Sequence, residues 1–145
     1  EDALAYLDEH ASYEKSGRID SPSLNRITRL CALMGDPQHA APVIHITGTN
    51  GKGSTSQMIT RLLMGHGLKV GTYTSPHLER VNERFMIDGT AIGDAEFAEQ
   101  IAAVADLEVI GGVRPGYFEI CTAAALVYGT VSVLRVGAGV PPQGL

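Results

Sequence analysis

Pro42-Val43-Ile44-His45-Ile46-Thr47 is a compact β-rich run that leads straight into Gly48-Thr49-Asn50-Gly51-Lys52-Gly53-Ser54-Thr55. Met58, Ile59, Leu62 and Leu63 then recur at helical spacing. A glycine-rich loop between a strand and a helix is the placement that phosphate binding requires. The glycines let the backbone curl until successive N–H groups face one anion, and the helix adds the positive end of its dipole. Lys52 supplies a point charge for outer phosphates, and the Ser54 hydroxyl can reach a magnesium ion or a phosphate oxygen. The spacing departs from the common Walker pattern, since Gly48 and Gly51 lie close together and Gly53 separates Lys52 from Ser54. A purely structural turn has no need of this combination at a strand–helix joint. Gly48, Thr49, Asn50, Gly51, Lys52, Gly53 and Ser54 are therefore expected to bind a nucleotide.

Around the loop, helical and extended patterns alternate. Leu4, Leu7 and Ala11 line a short helix beginning near Asp2, and Tyr13 to Asp20 reads as a polar loop. Ser21-Pro22-Ser23 offers a cap to a helix carrying Leu24, Ile27, Leu30, Cys31 and Met34, which Gly35-Asp36-Pro37 stops. The helix after the glycine loop is predicted from Ser54 to a stop at Gly67, and Val70–Thr74 reads as a strand. Asp88-Gly89 between two apolar runs marks a hairpin. Asp94 caps a helix with Phe97, Ile101, Ala102 and Ala105; Phe118–Tyr128 reads as helix and Val131–Val136 as strand. The alternation predicts an α/β fold, a P-loop-like parallel sheet flanked by helices. Residues 1–136 are expected to form an ATP-binding domain and residues 137–145 an irregular tail.

Composition narrows the class further. With 145 residues, 44% hydrophobic and 19% charged, the chain can bury one core and is too apolar for disorder. A net charge of −5 argues against a nucleic-acid partner. No apolar run approaches a membrane span, and Glu1-Asp2-Ala3-Leu4 lacks the basic start of a signal peptide. The absence of an initiator Met reads as a start inside a longer frame. Cys31 and Cys121 lie in apolar helical patterns and read as buried thiols, so a cytoplasmic setting is expected.

The Gly-Thr-Asn-Gly-Lys-Gly-Ser segment resembles the ATP loop of the folylpolyglutamate synthase/dihydrofolate synthase family, in the Mur ligase superfamily. Tyr73-Thr74-Ser75-Pro76-His77-Leu78 with Asn82-Glu83-Arg84-Phe85 is similar to that family's Ser-Pro-His loop and its continuation. Tyr117-Phe118-Glu119 before Thr122-Ala123-Ala124 looks like its Phe-Glu helix start. Glu14-Lys15-Ser16-Gly17-Arg18 and Ser23-Leu24-Asn25-Arg26-Ile27 also fit. The resemblance runs from about Leu4 to about Leu126 and implies an incomplete Mur ligase central domain.

The resemblance implies an ATP-dependent ligase that adds L-glutamate to dihydropteroate or folate through an acyl phosphate, with ATP and Mg2+ as cofactors. Lys52 would be the catalytic cation, and Ser75 with Ser54 the magnesium ligands; Ser75-Pro76 also suits a plain strand-ending turn. Tyr117, Phe118 and Glu119 would contact the pterin. Glu119 equally suits the first turn of a helix, where the dipole favours a carboxylate. Asp20 would be a second pterin contact, or an exposed turn aspartate. Arg84 either neutralises phosphate or pairs with Glu83 or Asp88, and His77 orders its loop. His45 reads as a core residue, and Tyr13, Lys15 and Arg18 as a solvated loop.

The match fails after about Tyr128. The family's next strand carries a Glu-Val-Gly type segment whose Glu completes the magnesium site, and here Arg135 takes that place in Val133-Leu134-Arg135-Val136. A cation there repels magnesium. A truncation, a frameshift or divergence would each account for the break, and the C-terminal domain of an intact homologue is missing. The competing readings are an inactive nucleotide- or folate-binding module, a Mur-type cell-wall amino-acid ligase, and a P-loop kinase. No nucleic-acid or membrane partner is expected.

Overall fold

The computed structural model describes residues 2–15 and 24–137. Asp20, Arg18 and the tail from residue 138 lie outside the described residues. Two compact units share the chain, one from Glu1–Ala40 and Asp94–Val127, the other from Ala41–Gly93 and Tyr128–Leu145.

The first unit is helical. Helix α1 spans Asp2–Lys15, α2 Asn25–Leu33, α4 Asp94–Gly111 and α5 Tyr117–Gly137, of which the part up to Val127 belongs to this unit, with a 3-10 turn at Pro37–His39. Its core gathers Leu7 of α1, Leu30 and Cys31 of α2, Phe97, Ile101 and Val104 of α4, and Ile120, Cys121, Ala123 and Ala124 of α5. Phe97, Ile101 and Val104 fall at i, i+4 and i+7, which keeps one stripe of α4 inward. Each fully buried large side chain contributes about 1.5–3 kcal/mol. The end of α4 lies tight against α2, because a Cβ on Gly111 would collide with Leu33. One polar cluster joins α1 to α4. The Tyr6 hydroxyl donates to Glu108 Oε2, and buried His10 donates from Nε2 to the same oxygen (2.9 Å). Burial and the neighbouring carboxylate push the Tyr6 hydroxyl well above its ordinary pKa. Both thiols are buried and free, as the apolar pattern predicts.

The second unit pairs one helix with a small sheet. Helix α3 spans Lys52–Gly65; strands β1 Gly71–Tyr73, β2 Phe85–Ile87 and β3 Thr90–Ala91 lie in sequence order, with a 3-10 turn at Val81–Arg84. Both pairings are antiparallel, with Thr72 opposite Met86 and Met86 opposite Ala91. The β2–β3 turn is the expected Asp88-Gly89, with φ of 50° and 76°. Two positive φ values make the turn twist that suits a hairpin. Asp88 also accepts the Val70 N–H (2.8 Å), locking the tip onto the start of β1.

Several sequence expectations need correction. Among the described residues the sheet is antiparallel, and no strand forms at Pro42–Thr47. An extended run needs hydrogen-bonded neighbours to become a strand, and a parallel one reaches them only through crossovers. Here Val43 and Ile44 stay 68% and 60% exposed, and His45 is exposed instead of in the core. Val131–Val136 continues α5 as helix, since no Pro interrupts it and the β-branched run extends a nucleus already formed. Helix α1 continues to Lys15, and α3 begins at Lys52 and ends at Gly65, so Lys52 sits in its first turn. No helix among the described residues is long and apolar enough to cross a membrane.

Candidate nucleotide site

The glycine loop enters α3 through Gly51, which caps the helix at φ 78°, a left-handed value costly for other residues. Thr55 N–H closes the first turn on the Gly51 carbonyl (2.9 Å). The N–H groups of the first turn have no acceptor within the helix, and no side chain caps them. A Cβ on Gly51 or Gly53 would meet nothing within 4 Å, so that side of the loop is open. Lys52 Nζ donates to the carbonyls of Gly48 and Thr49, the latter at 3.3 Å. The ammonium thus lies over the loop's own mouth, where incoming phosphate oxygens can replace the two carbonyls. Orphan amides, an open cradle and one cation fit a polyphosphate.

Helix α3 runs against β1. Thr60 and Thr72 share a hydroxyl hydrogen bond (2.7 Å), and Gln57 Nε2 donates to Met86 Sδ (3.6 Å). Arg61 and Met64 line a small cleft with Asp88 and Gly89, beside the beginning of β1. The C-terminal half of α3 therefore accompanies the start of the strand, and its N-terminus points the way β1 ends. From Thr60 back to Ser54 is about 9 Å of helix. Ser75 follows the end of β1 by two residues. Ser54 lies in the first turn of α3 and Ser75 just past the end of β1, and both are exposed. The Ser75–Pro76 peptide bond is cis.

The turn after Ser75 is heavily tied. Glu83 accepts the N–H groups of Leu78, Glu79 and Arg80, and those bonds, Leu78's first, hold its carboxyl below the usual range. Buried Arg84 donates from Nε to His77 Nδ1 (2.9 Å), which orders the loop as the sequence suggested. Glu83's grip on three amides escaped sequence reasoning. Its only signal is its place three residues after Arg80, a spacing typical of caps.

The expected pterin residues lie in the helical unit. Glu119, in the first turn of α5, accepts the Gly116 N–H (2.8 Å) and pairs with Arg26 Nε (3.1 Å). It stands in the first turn, where its alternative reading placed it, and in addition caps that turn. Phe118 is 50% exposed and Tyr117 half-buried. The structure thus groups Gly48, Thr49, Asn50, Gly51, Lys52, Gly53, Ser54 and Ser75 in one unit and Tyr117, Phe118 and Glu119 in the other. Among the described residues no three His, Cys, Asp or Glu side chains cluster to hold a metal. Exposed serine hydroxyls and phosphate oxygens are oxygen donors of the kind magnesium takes.

A glycine loop feeding the N-terminus of a helix packed on a sheet defines an α/β protein built to hold phosphate. No family profile matches the chain. It is 37% identical to the folylpolyglutamate synthase of Lacticaseibacillus casei over 148 residues, covering 95% of this chain and 33% of that protein. The Escherichia coli FolC structure in complex with DHPP and ADP superposes with a TM-score of 0.76 at 28% identity. It covers 90% of this chain and 30% of that one. A Yersinia pestis bifunctional folylpolyglutamate synthase/dihydrofolate synthase, complexed with AMPPNP and Mn ion, gives 0.74 at 32% identity over 89% and 30% of the two chains. Over the stretch it spans, the chain is similar to the folylpolyglutamate synthase/dihydrofolate synthase family. It spans about a third of the length of the curated relatives it matches.

Proposed function

We propose that this chain supplies the nucleotide-binding part of an ATP-dependent ligase that joins L-glutamate to dihydropteroate or folate. The observation that carries the reading is the open glycine cradle at the N-terminus of α3, with Lys52 over its mouth. A substrate carboxylate oxygen attacks the γ-phosphorus of ATP, ADP leaves, and an acyl phosphate forms. The glutamate amine then attacks the acyl carbon, losing a proton, and phosphate departs. The chain's contribution is positioning and charge neutralisation, since the migrating phosphoryl group spreads charge over its oxygens. Loop amides and Lys52 hold the β- and γ-oxygens. The Ser54 and Ser75 hydroxyls would ligate magnesium, which when bound neutralises phosphate charge. ADP, AMPPNP, Mn and DHPP in the relatives' structures support the nucleotide, metal and pterin assignments.

In the helical unit, Tyr117, Phe118 and Glu119 are assigned to the pterin, with Asp20 as a further contact. Glu119 must then exchange its Arg26 partner for ring N–H donors. Residues 1–136 are assigned to a partial ATP-binding domain of the Mur ligase type, residues 137–145 to a tail, and the protein to the cytoplasm. In that domain Pro42–Thr47 becomes a strand of a parallel, helix-flanked sheet. The exposed Val43 and Ile44 support this assignment, because they offer apolar surface to neighbours.

A second reading, a binding module without turnover, is favoured by one observation. Residues 131–136 are helix with Arg135 among them, where the resemblance asks for a strand and a carboxylate. The two separate on ATP-dependent incorporation of labelled L-glutamate into dihydropteroate and tetrahydrofolate, with Lys52→Ala as control. Incorporation that disappears in the control is expected of the ligase. Nucleotide binding without incorporation supports the module, and neither property would overturn both readings.

A further inference from the structure

Ser75 is exposed, and a lone hydroxyl is a weak ligand for a hard cation. It contributes little unless its backbone is fixed beforehand. The structure fixes that backbone on both sides. Before it, the Thr74 N–H donates to the Arg84 carbonyl (3.1 Å). After it, Glu83 Oε2 accepts from Leu78 (2.9 Å), while Oε1 accepts from Glu79 (3.0 Å) and Arg80 (2.9 Å). The Arg84 Nε–H donates to His77 Nδ1 (2.9 Å), so His77 carries its proton on Nε2. Arg84 is itself buried, which anchors this second tie in the body of the unit. The 3-10 turn at Val81–Arg84 thus grips the segment from Thr74 to Arg80 through a carboxylate, a guanidinium and a carbonyl.

We propose that Glu83 and His77 are positioning residues that hold the turn so that the Ser75 hydroxyl faces a metal–nucleotide at the N-terminus of α3. The inference rests on the nucleotide reading above and extends it to two side chains that touch neither phosphate nor metal. Partners that orient a ligand in this way are typically worth about 10–100-fold in metal affinity.

The test titrates ADP into the chain with and without Mn2+, alongside Glu83→Gln, His77→Gln and Ser75→Ala. Gln at position 83 keeps the size of Glu but sets an NH2 against the amides. The expected result is that Mn2+ tightens ADP binding by the wild type. Glu83→Gln and Ser75→Ala should each lose about tenfold of that gain. In Glu83→Gln and His77→Gln, affinity for metal-free ADP, carried by the glycine loop, should stay within about twofold, and the metal gain of Ser75→Ala/Glu83→Gln should be no smaller than that of Ser75→Ala alone. Faster amide exchange at residues 78–80 in Glu83→Gln should accompany the loss. A full metal gain in Glu83→Gln and His77→Gln overturns the proposal while the nucleotide reading stands. A parallel loss of metal-free binding also overturns it, because that marks general loosening. Failure of the wild type to bind ADP in either condition overturns the nucleotide reading and the proposal together.

Discussion

At Gly51 the backbone turns into α3 at φ 78°, and a side chain there would meet nothing within 4 Å. The cost of Gly51→Ala is therefore conformational, about 1–2 kcal/mol for a left-handed alanine. Urea unfolding should read that loss, and ADP affinity should fall with it as the amides turn aside. Glu83 carries a pH signature. Its folded pKa is depressed, first by the Leu78 N–H, so its contribution is present above the ordinary carboxylate value of about 4.3. It is lost as pH falls through the lower folded value. Exchange protection of the Leu78, Glu79 and Arg80 amides should hold from pH 7 down through the ordinary carboxylate value of about 4.3 and disappear only at lower pH. In Glu83→Gln it should be weak throughout. The glycines, Lys52 and the serines were legible because glycine at a strand–helix joint has few other uses. Glu83 was not, because a carboxylate serving backbone amides leaves no residue-type pattern. His45 misled because an alternating run describes a strand's faces without saying whether anything covers them.

Elements became legible where local chemistry decides them. The Asp88-Gly89 turn dictates its hairpin, and the Gly35-Asp36-Pro37 stop ends α2 near where it should, with Asp36 at φ 55°. Pro42–Thr47 and Val131–Val136 form no strand here, because β-branched composition is only half of a strand; the other half is a partner. Residues 131–136 follow a helix nucleated by the Glu119 cap and simply extend it. Gly111 packs close against Leu33 of α2. Gly111→Ala should drive a methyl into Leu33 and cost about 1–3 kcal/mol by overpacking, and truncating Leu33 to Ala in the same chain should recover part of it. Thermal melts of the single and double variants would read both effects.

The candidate site residues fall in two units, the glycine loop and Ser75 in one and Tyr117, Phe118 and Glu119 in the other. Saturating ADP should slow amide exchange at residues 48–55 and 74–80 and leave α1 and α4 unchanged. A ligand at one hundred times its Kd stabilises the state it binds by about 2.7 kcal/mol. The family was legible because several motifs recur in order. The parallel sheet expected from the alternation is not seen among the described residues, whose three strands pair antiparallel. The most direct measurement is calorimetric titration of magnesium–ADP into the chain and into Lys52→Ala. A nucleotide cradle predicts saturable one-to-one binding that weakens at least about tenfold without the ammonium, the scale of one charge-assisted hydrogen bond. No binding by the wild type, or equal binding by Lys52→Ala, would contradict it.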